Sequence, residues 1–178
     1  MARFKPTSDY YRKIVQSRAG QYALQRMPKA WAMVALALTA KLESGYEIDA
    51  RSSRGAMDMY QFLPNTVKLF YAKYGPTGSG SFRDLLPKWI DNDPDVQGQY
   101  ALMHLLESYQ FAIRHGWPVL EKPTSSWGDD GLLWISVRFY YHNGPSRVPR
   151  FPAESQAVVK LFNNELEAIY KRALGIGA

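Results

Sequence analysis

The sequence predicts a mainly α-helical domain, interrupted by one irregular or small-β segment directly after its most apolar helix. Three observations carry that prediction. Apolar residues recur at i, i+3, i+4 and i+7 over several long stretches. Pro, Asp, Ser or Thr stand where those stretches begin, and Gly stands where they end. Residues 45–64, rich in Ser, Arg, Gly and Met, follow neither the helical nor the strand period.

Taken in order, Ser8 can cap a first helix that runs to about Ala19 and is ended by Gly20. Pro28 precedes a second helix, from Lys29 to about Ser44, in which Trp31, Val34, Ala35, Leu38 and Leu42 keep the helical spacing. Almost every other position in it is also apolar, so it is a buried helix, and Gly45 stops it. After the irregular segment a third helix spans about Pro64 to Tyr74, with proline in its first turn. Residues 75–80 form a turn, and Ser81 can cap a short helix holding Leu85, Leu86, Trp89 and Ile90. Asp93-Pro94 opens a long helix to about Arg114. Residues 116–131 are the clearest loop; a helix at about 132–141 follows, ended by Gly144-Pro145, and a last amphipathic helix runs from about Ala153 to Leu174. Without a dividing linker, residues 29–178 are read as one domain, with residues 1–28 a basic helical arm packed on it.

A chain of 178 residues with 46% hydrophobic and 21% charged residues has a globular composition. It has no cysteine, which excludes disulfide frameworks, thiolate metal sites and thiol nucleophiles. His104, His115 and His142 lack paired ligand spacing, and neither a phosphate-binding glycine loop nor a serine nucleophile elbow occurs. No metal and no cofactor are therefore expected. The most apolar run, residues 30–40, is well short of the ~20 residues that span a bilayer, and the basic, aromatic N-terminus has no signal-peptide core.

The net charge of +6 is unevenly placed. Arg3, Lys5, Arg12, Lys13, Arg18, Arg26 and Lys29 face a single acid, Asp9, in the first 30 residues, and the rest of the chain is neutral. Such a segment suits phosphates, anionic lipid or an acidic polymer; the alternative is a solvated helix face.

Glu43 ends the most apolar helix. A carboxyl held there is expected to be partly desolvated, and the negative end of the helix dipole acts with desolvation to favour the protonated form. A general acid at neutral pH needs that property. An ordinary exposed glutamate in a last helical turn is the competing description.

Two further segments bear on Glu43. One is Ser52-Ser53-Arg54-Gly55-Ala56, continuing to Met59-Tyr60-Gln61-Phe62-Leu63-Pro64-Asn65-Thr66; the other is Tyr140-Tyr141-His142-Asn143-Gly144-Pro145-Ser146-Arg147-Val148. With Glu43-Ser44, and in this order, they resemble the lytic transglycosylases of the goose-lysozyme-like fold. That family pattern is E-S at a helix end, S-x-x-G-A-x-G-L-M-Q-x-x-P-x-T, and Y-N-A-G-P followed by a basic residue and Val. Ser52, Gly55, Ala56, Gln61, Pro64 and Thr66 fill their slots, as do Tyr141, Gly144, Pro145, Arg147 and Val148. The similarity spans about residues 31–148. Asp58 stands where the pattern has glycine, Met59-Tyr60 replace Leu-Met, and His142 takes the Asn slot with Asn143 beside it.

The resemblance implies a lysozyme-like helical domain that cleaves the β-1,4 bond between N-acetylmuramic acid and N-acetylglucosamine in peptidoglycan, forming a 1,6-anhydro ring. Glu43 is then the acid and afterwards the base. Ser44, Ser52, Met59, Tyr60, Gln61, Tyr141 and either His142 or Asn143 are the implied substrate contacts, and Trp117 and Trp127 are candidate stacking platforms for sugar. Asp58 is a candidate second carboxylate, which would orient a water for hydrolysis, unless it caps a turn or pairs with Arg54. The expected partner is the peptidoglycan glycan strand, with other virion proteins or an anionic polymer at the basic N-terminus. A monomeric, bacteriophage-encoded protein, acting from the virion or released from the host cytoplasm to the wall, is what a short member without a signal peptide implies. A hydrolysing muramidase and a non-catalytic glycan- or DNA-binding virion protein are the alternatives.

Overall fold

The computed structural model describes residues 4–27, 29–87 and 93–115, together with Tyr141, Ala168 and Lys171. The described part is mainly helical. It comprises α1 (Ser8–Gln16), α2 (Arg18–Leu24), α3 (Lys29–Ser44), α4 (Pro64–Tyr74) and α5 (Pro94–Arg114), with one 3-10 turn at Gly80–Phe82. No extended strand occurs among the described residues; residues 45–63 hold isolated antiparallel bridges, Arg51 to Met57 and Met57 to Phe62.

The N-terminus departs from the expected single helix. Thr7, rather than Ser8, caps α1 by accepting the Tyr10 amide hydrogen. Ser17 then breaks the helix. Its hydroxyl donates to the Ile14 carbonyl at 2.6 Å and accepts from the Gly20 amide at 3.1 Å, ending α1 and capping α2 with one side chain. Gly20 therefore lies within α2, where a Cβ would stand 2.3 Å from the Val15 carbonyl oxygen. The bend needs glycine for space, not as a terminator.

Helix α3 is enclosed as its composition requires: Ala32 through Leu38 are all buried. Gly45 at φ +62 turns the chain, and its amide and that of Tyr46 donate to the Lys41 and Ala40 carbonyls. Helix α4 starts on Pro64 and buries Val67, Phe70 and Tyr74. After it, left-handed backbone at Gly80 and Asp84 holds the Ser81 region to a 3-10 turn in place of the expected short helix. Leu85 and Leu86 are nevertheless buried, with the Leu86 amide tied to the Tyr74 carbonyl at 2.8 Å. Trp89 and Ile90 lie outside the described residues.

Helix α5 is the hub, packing on α1, α2, α3 and α4. Asp93 caps it through the Asp95 and Val96 amides, and Pro94 occupies its first turn. Gly98 lets α1 approach: a Cβ there would lie 2.6 Å from the Tyr10 hydroxyl and 2.8 Å from Ile14 Cδ1. Tyr10, Tyr11, Ile14, Val15, Ala19 and Ala23 of the basic arm join the same apolar cluster as α3 and α5. The arm's charges stay outside, with Arg12 paired to Asp9 and Lys13 to Asp95 of α5. No described helix is long and apolar enough to cross a membrane. The expected loop at 116–131 and the helices at 132–141 and 153–174 lie outside the described residues, except that Tyr141, Ala168 and Lys171 are each helical.

Candidate functional site

The last turn of α3 delivers Glu43 and Ser44, both half-buried, to the edge of the 45–63 segment. Ser44 acts there as a clamp. Its hydroxyl donates to the Met59 carbonyl at 2.9 Å and accepts from the Glu47 amide at 3.1 Å, so the hydroxyl expected to meet substrate holds the segment to the helix.

The segment is folded tightly. Ser52 closes a turn with Ala56 in both directions: its amide donates to the Ala56 carbonyl, and its hydroxyl accepts from the Ala56 amide at 2.9 Å. Gly55 takes φ +79 within that turn. The chain then reverses between Met57 and Phe62, whose backbones exchange two hydrogen bonds of 2.9 Å. Three residues that carry side chains here adopt left-handed backbone: Tyr46 (φ +73), Asp58 (+67) and Gln61 (+54). Asp tolerates that region best of the three, whereas Tyr and Gln are held there at a cost of order 1–3 kcal/mol each.

Three contacts from distant elements fix this reversal. Gln97 of α5, fully buried, accepts from the Met59 amide at 3.2 Å and donates to the Ile48 carbonyl at 3.0 Å. The Tyr60 hydroxyl lies 3.1 Å from the Tyr10 hydroxyl of α1, which donates to the Pro94 carbonyl. Tyr141 donates its hydroxyl to the Tyr60 carbonyl at 3.2 Å. The Tyr141 ring lies against His104, centroids 4.2 Å apart, and His104 also meets Phe62 and Phe70.

Asp58 is the carboxyl that the fold encloses. Its Oδ1 accepts from the Tyr60 amide at 2.7 Å, while Oδ2 is buried with no hydrogen-bond donor among the described residues. Burial pushes this carboxyl up to about 8, and the negative field of Glu43 adds to it. The Tyr60 and Gln61 amides and the Arg51 charge pull the other way. At neutral pH Asp58 is therefore predominantly protonated. The turn-capping role is the one observed, and the cation acting on Asp58 is Arg51. Burial also pushes the Tyr10 and Tyr60 hydroxyls well above their ordinary range, so both remain neutral hydrogen-bonding groups.

The expected residues thus fall into three sets. Ser44, Ser52, Asp58 and Gln61 belong to the bonded loop after α3, Glu43 acts on Asp58 through its charge, and Tyr141 bonds the same loop at the Tyr60 carbonyl. Met59 and Tyr60, expected as substrate contacts, have fully buried side chains that belong to the core and present no surface to a ligand. Gln61 is half-buried, and its side-chain amide donates to the Asp58 carbonyl at 2.9 Å. His142, Asn143, Trp117 and Trp127 lie outside the described residues. Gln97, Tyr10 and His104 position the loop without having been singled out for it. A polar Gln97 one turn before Tyr100 and Ala101, on a buried helix, was the available signal. Among the described residues, no group of three or more His, Asp or Glu could hold a metal ion.

The site therefore offers a half-exposed carboxyl, Glu43, beside an enclosed neutral one, Asp58, on a loop whose polar groups largely hold one another. No family model, no curated protein and no solved structure matches the chain.

Proposed function

We propose that the chain is a peptidoglycan lytic transglycosylase on a lysozyme-like fold, with Glu43 as its acid and base. One observation supports this best. Residues from the three sequence blocks that resemble the family pattern meet in space: Ser44 of the first bonds the Met59 carbonyl of the second, and Tyr141 of the third bonds the carbonyl of Tyr60, next in the chain. Composition does not require segments so far apart to converge, and a shared site does.

On this reading Glu43 protonates the glycosidic oxygen as it leaves the muramic acid residue. The substrate's N-acetyl group stabilises the oxocarbenium-like centre. The Glu43 carboxylate then takes the proton of the C6 hydroxyl, which attacks the anomeric carbon and closes the anhydro ring, so one residue acts twice. Gln61 and the loop backbone position the sugar, and Tyr141 acts from behind, on the Tyr60 carbonyl. A hydrolysing enzyme would need an ionised base beside a water. Asp58 is a poor candidate for that role, because it is enclosed and neutral at pH 7. Delivery in a phage particle, or release at lysis, accompanies the proposal, with the basic N-terminal segment as the part toward anionic polymer or virion protein.

The test is product analysis on purified peptidoglycan with wild type beside Glu43→Gln. The wild type should release muropeptides one water lighter than reducing-end products, and the variant should lose about 10²–10⁴-fold in rate. Reducing-end products alone would replace ring closure by hydrolysis, and full activity in the variant would remove Glu43 from the chemistry.

A further inference from the structure

Among the described residues, Asp58 is the only carboxyl the fold buries. It lies at the centre of the Met57–Phe62 reversal. Its Oδ1 accepts the Tyr60 amide hydrogen, its backbone carbonyl accepts both the backbone and the side-chain amide of Gln61, and its own amide donates to the Ala50 carbonyl. Asp58 thus ties into the reversal through its side chain, its carbonyl and its amide at once, beside the contacts from Ser44, Gln97, Tyr10 and Tyr141. Yet its Oδ2 is enclosed with no donor among the described residues. An enclosed carboxyl oxygen without a donor is tolerable as part of a neutral acid and costly as part of a carboxylate.

The groups facing Asp58 leave the balance with the neutral form. Glu43 of α3 adds negative potential, and Arg51 of the same segment opposes it. Tyr60 of the loop and Tyr10 of α1 are neutral phenols. We propose that Asp58 is a positioning residue of the site, a proton-dependent latch that holds residues 57–62 closed while protonated and loosens them as the pH rises. The step is a simple ionisation: the Oδ2–H bond breaks, the proton passes to water, and the carboxylate is hydrated only if the loop opens. Opening would release the Gln61 amide from the Asp58 carbonyl and draw Met59 away from Ser44 and Gln97. The effect on glycan cleavage rests on the function proposed above; the latch itself does not.

The magnitude follows from linkage. In the open loop the carboxyl has its ordinary value of 3.8, and in the closed loop it lies at about 8. Between those limits the opening equilibrium rises about tenfold per pH unit. The experiment is amide hydrogen exchange on the full chain, read on peptides covering residues 57–62 and corrected for intrinsic exchange. Wild type, Asp58→Asn and Asp58→Gly are compared at pH 5 and pH 7. Asn is isosteric and cannot ionise, and Gly keeps the left-handed backbone accessible if Asn disturbs folding. The expected result is a fall in wild-type protection of about 100-fold between the two pH values, with nearly constant protection in both variants. Constant protection in the wild type, or an equal fall in the variants, would overturn the latch. Cleavage of purified peptidoglycan across the same range is the second arm, in which the rate of wild type relative to Asp58→Asn should decline as pH rises. The expected exchange with no cleavage at any pH keeps the latch and removes the glycan reading. Active cleavage with constant protection does the reverse.

Discussion

Gly98→Ala probes the joint between the basic arm and the candidate site. An alanine Cβ would stand 2.6 Å from the Tyr10 hydroxyl and 2.8 Å from Ile14 Cδ1. The Ile14 methyl is the free end of a flexible chain and can yield. The Tyr10 hydroxyl ends a rigid ring and is held by Tyr60 and Pro94. Alanine gains about 1 kcal/mol of helix propensity over glycine. Against that stand an overpacking cost of about 1–3 kcal/mol and two weakened hydrogen bonds of about 1 kcal/mol each. The net expectation is a loss of about 2–4 kcal/mol, or about 5–15 °C in Tm. Tyr10→Phe alone should cost about 1–3 kcal/mol, because it strips the Tyr60 hydroxyl and the Pro94 carbonyl of a partner. The double variant is decisive. With no hydroxyl to strike, Gly98→Ala should cost about 1–2 kcal/mol less in the Tyr10→Phe background than in wild type. Urea denaturation at 25 °C of the four proteins closes the cycle. Additivity within about 0.5 kcal/mol would refute the contact as the source of the strain.

Two further outcomes are expected. The stability of the whole protein should carry the signature of Asp58, whose folded-state proton affinity is raised by burial to about 8 from an ordinary 3.8. The folded state then binds the extra proton, so this contribution is complete below about pH 4 and is lost as pH rises to about 8, at up to about 1.4 kcal/mol per pH unit. The difference between wild-type and Asp58→Asn unfolding free energies should fall over that range, and parallel curves would contradict it. Gln97→Met, similar in volume, leaves the Met59 amide and the Ile48 carbonyl without their partner. It should cost about 2–4 kcal/mol and speed amide exchange at Met59, whereas a loss under about 0.5 kcal/mol would show that the bridge is dispensable.

The buried helix α3, the proline starts of α4 and α5 and the Asp93 cap were legible because each is a local matter. Periodicity, capping chemistry and the fixed φ of proline act within a few residues. The division at Ser17 was less legible, since a serine inside a periodic stretch becomes a break only when its hydroxyl turns back on the backbone. The 3-10 turn at Gly80–Phe82 was missed for a related reason: Leu85 and Leu86 are buried as their type demands, but left-handed backbone at Asp84 decides that they are not helical.

At the site, the end of the apolar helix pointed to Glu43 and the family resemblance implied Ser44, Ser52, Gln61 and Tyr141, but not what each side chain does in the fold. The structure buries a second carboxyl, Asp58, within the reversal at 57–62, where its Oδ1 accepts the Tyr60 amide hydrogen, while Glu43 is half-buried at the end of α3. Met59 and Tyr60 likewise turn to the core. Local composition alone placed α3, α4 and α5 and marked α3 as the buried one. Only the packing of α1, α3 and α5 around one loop decided which carboxyl is hidden and which is left half-buried, because burial and charge fields depend on residues far apart in the chain.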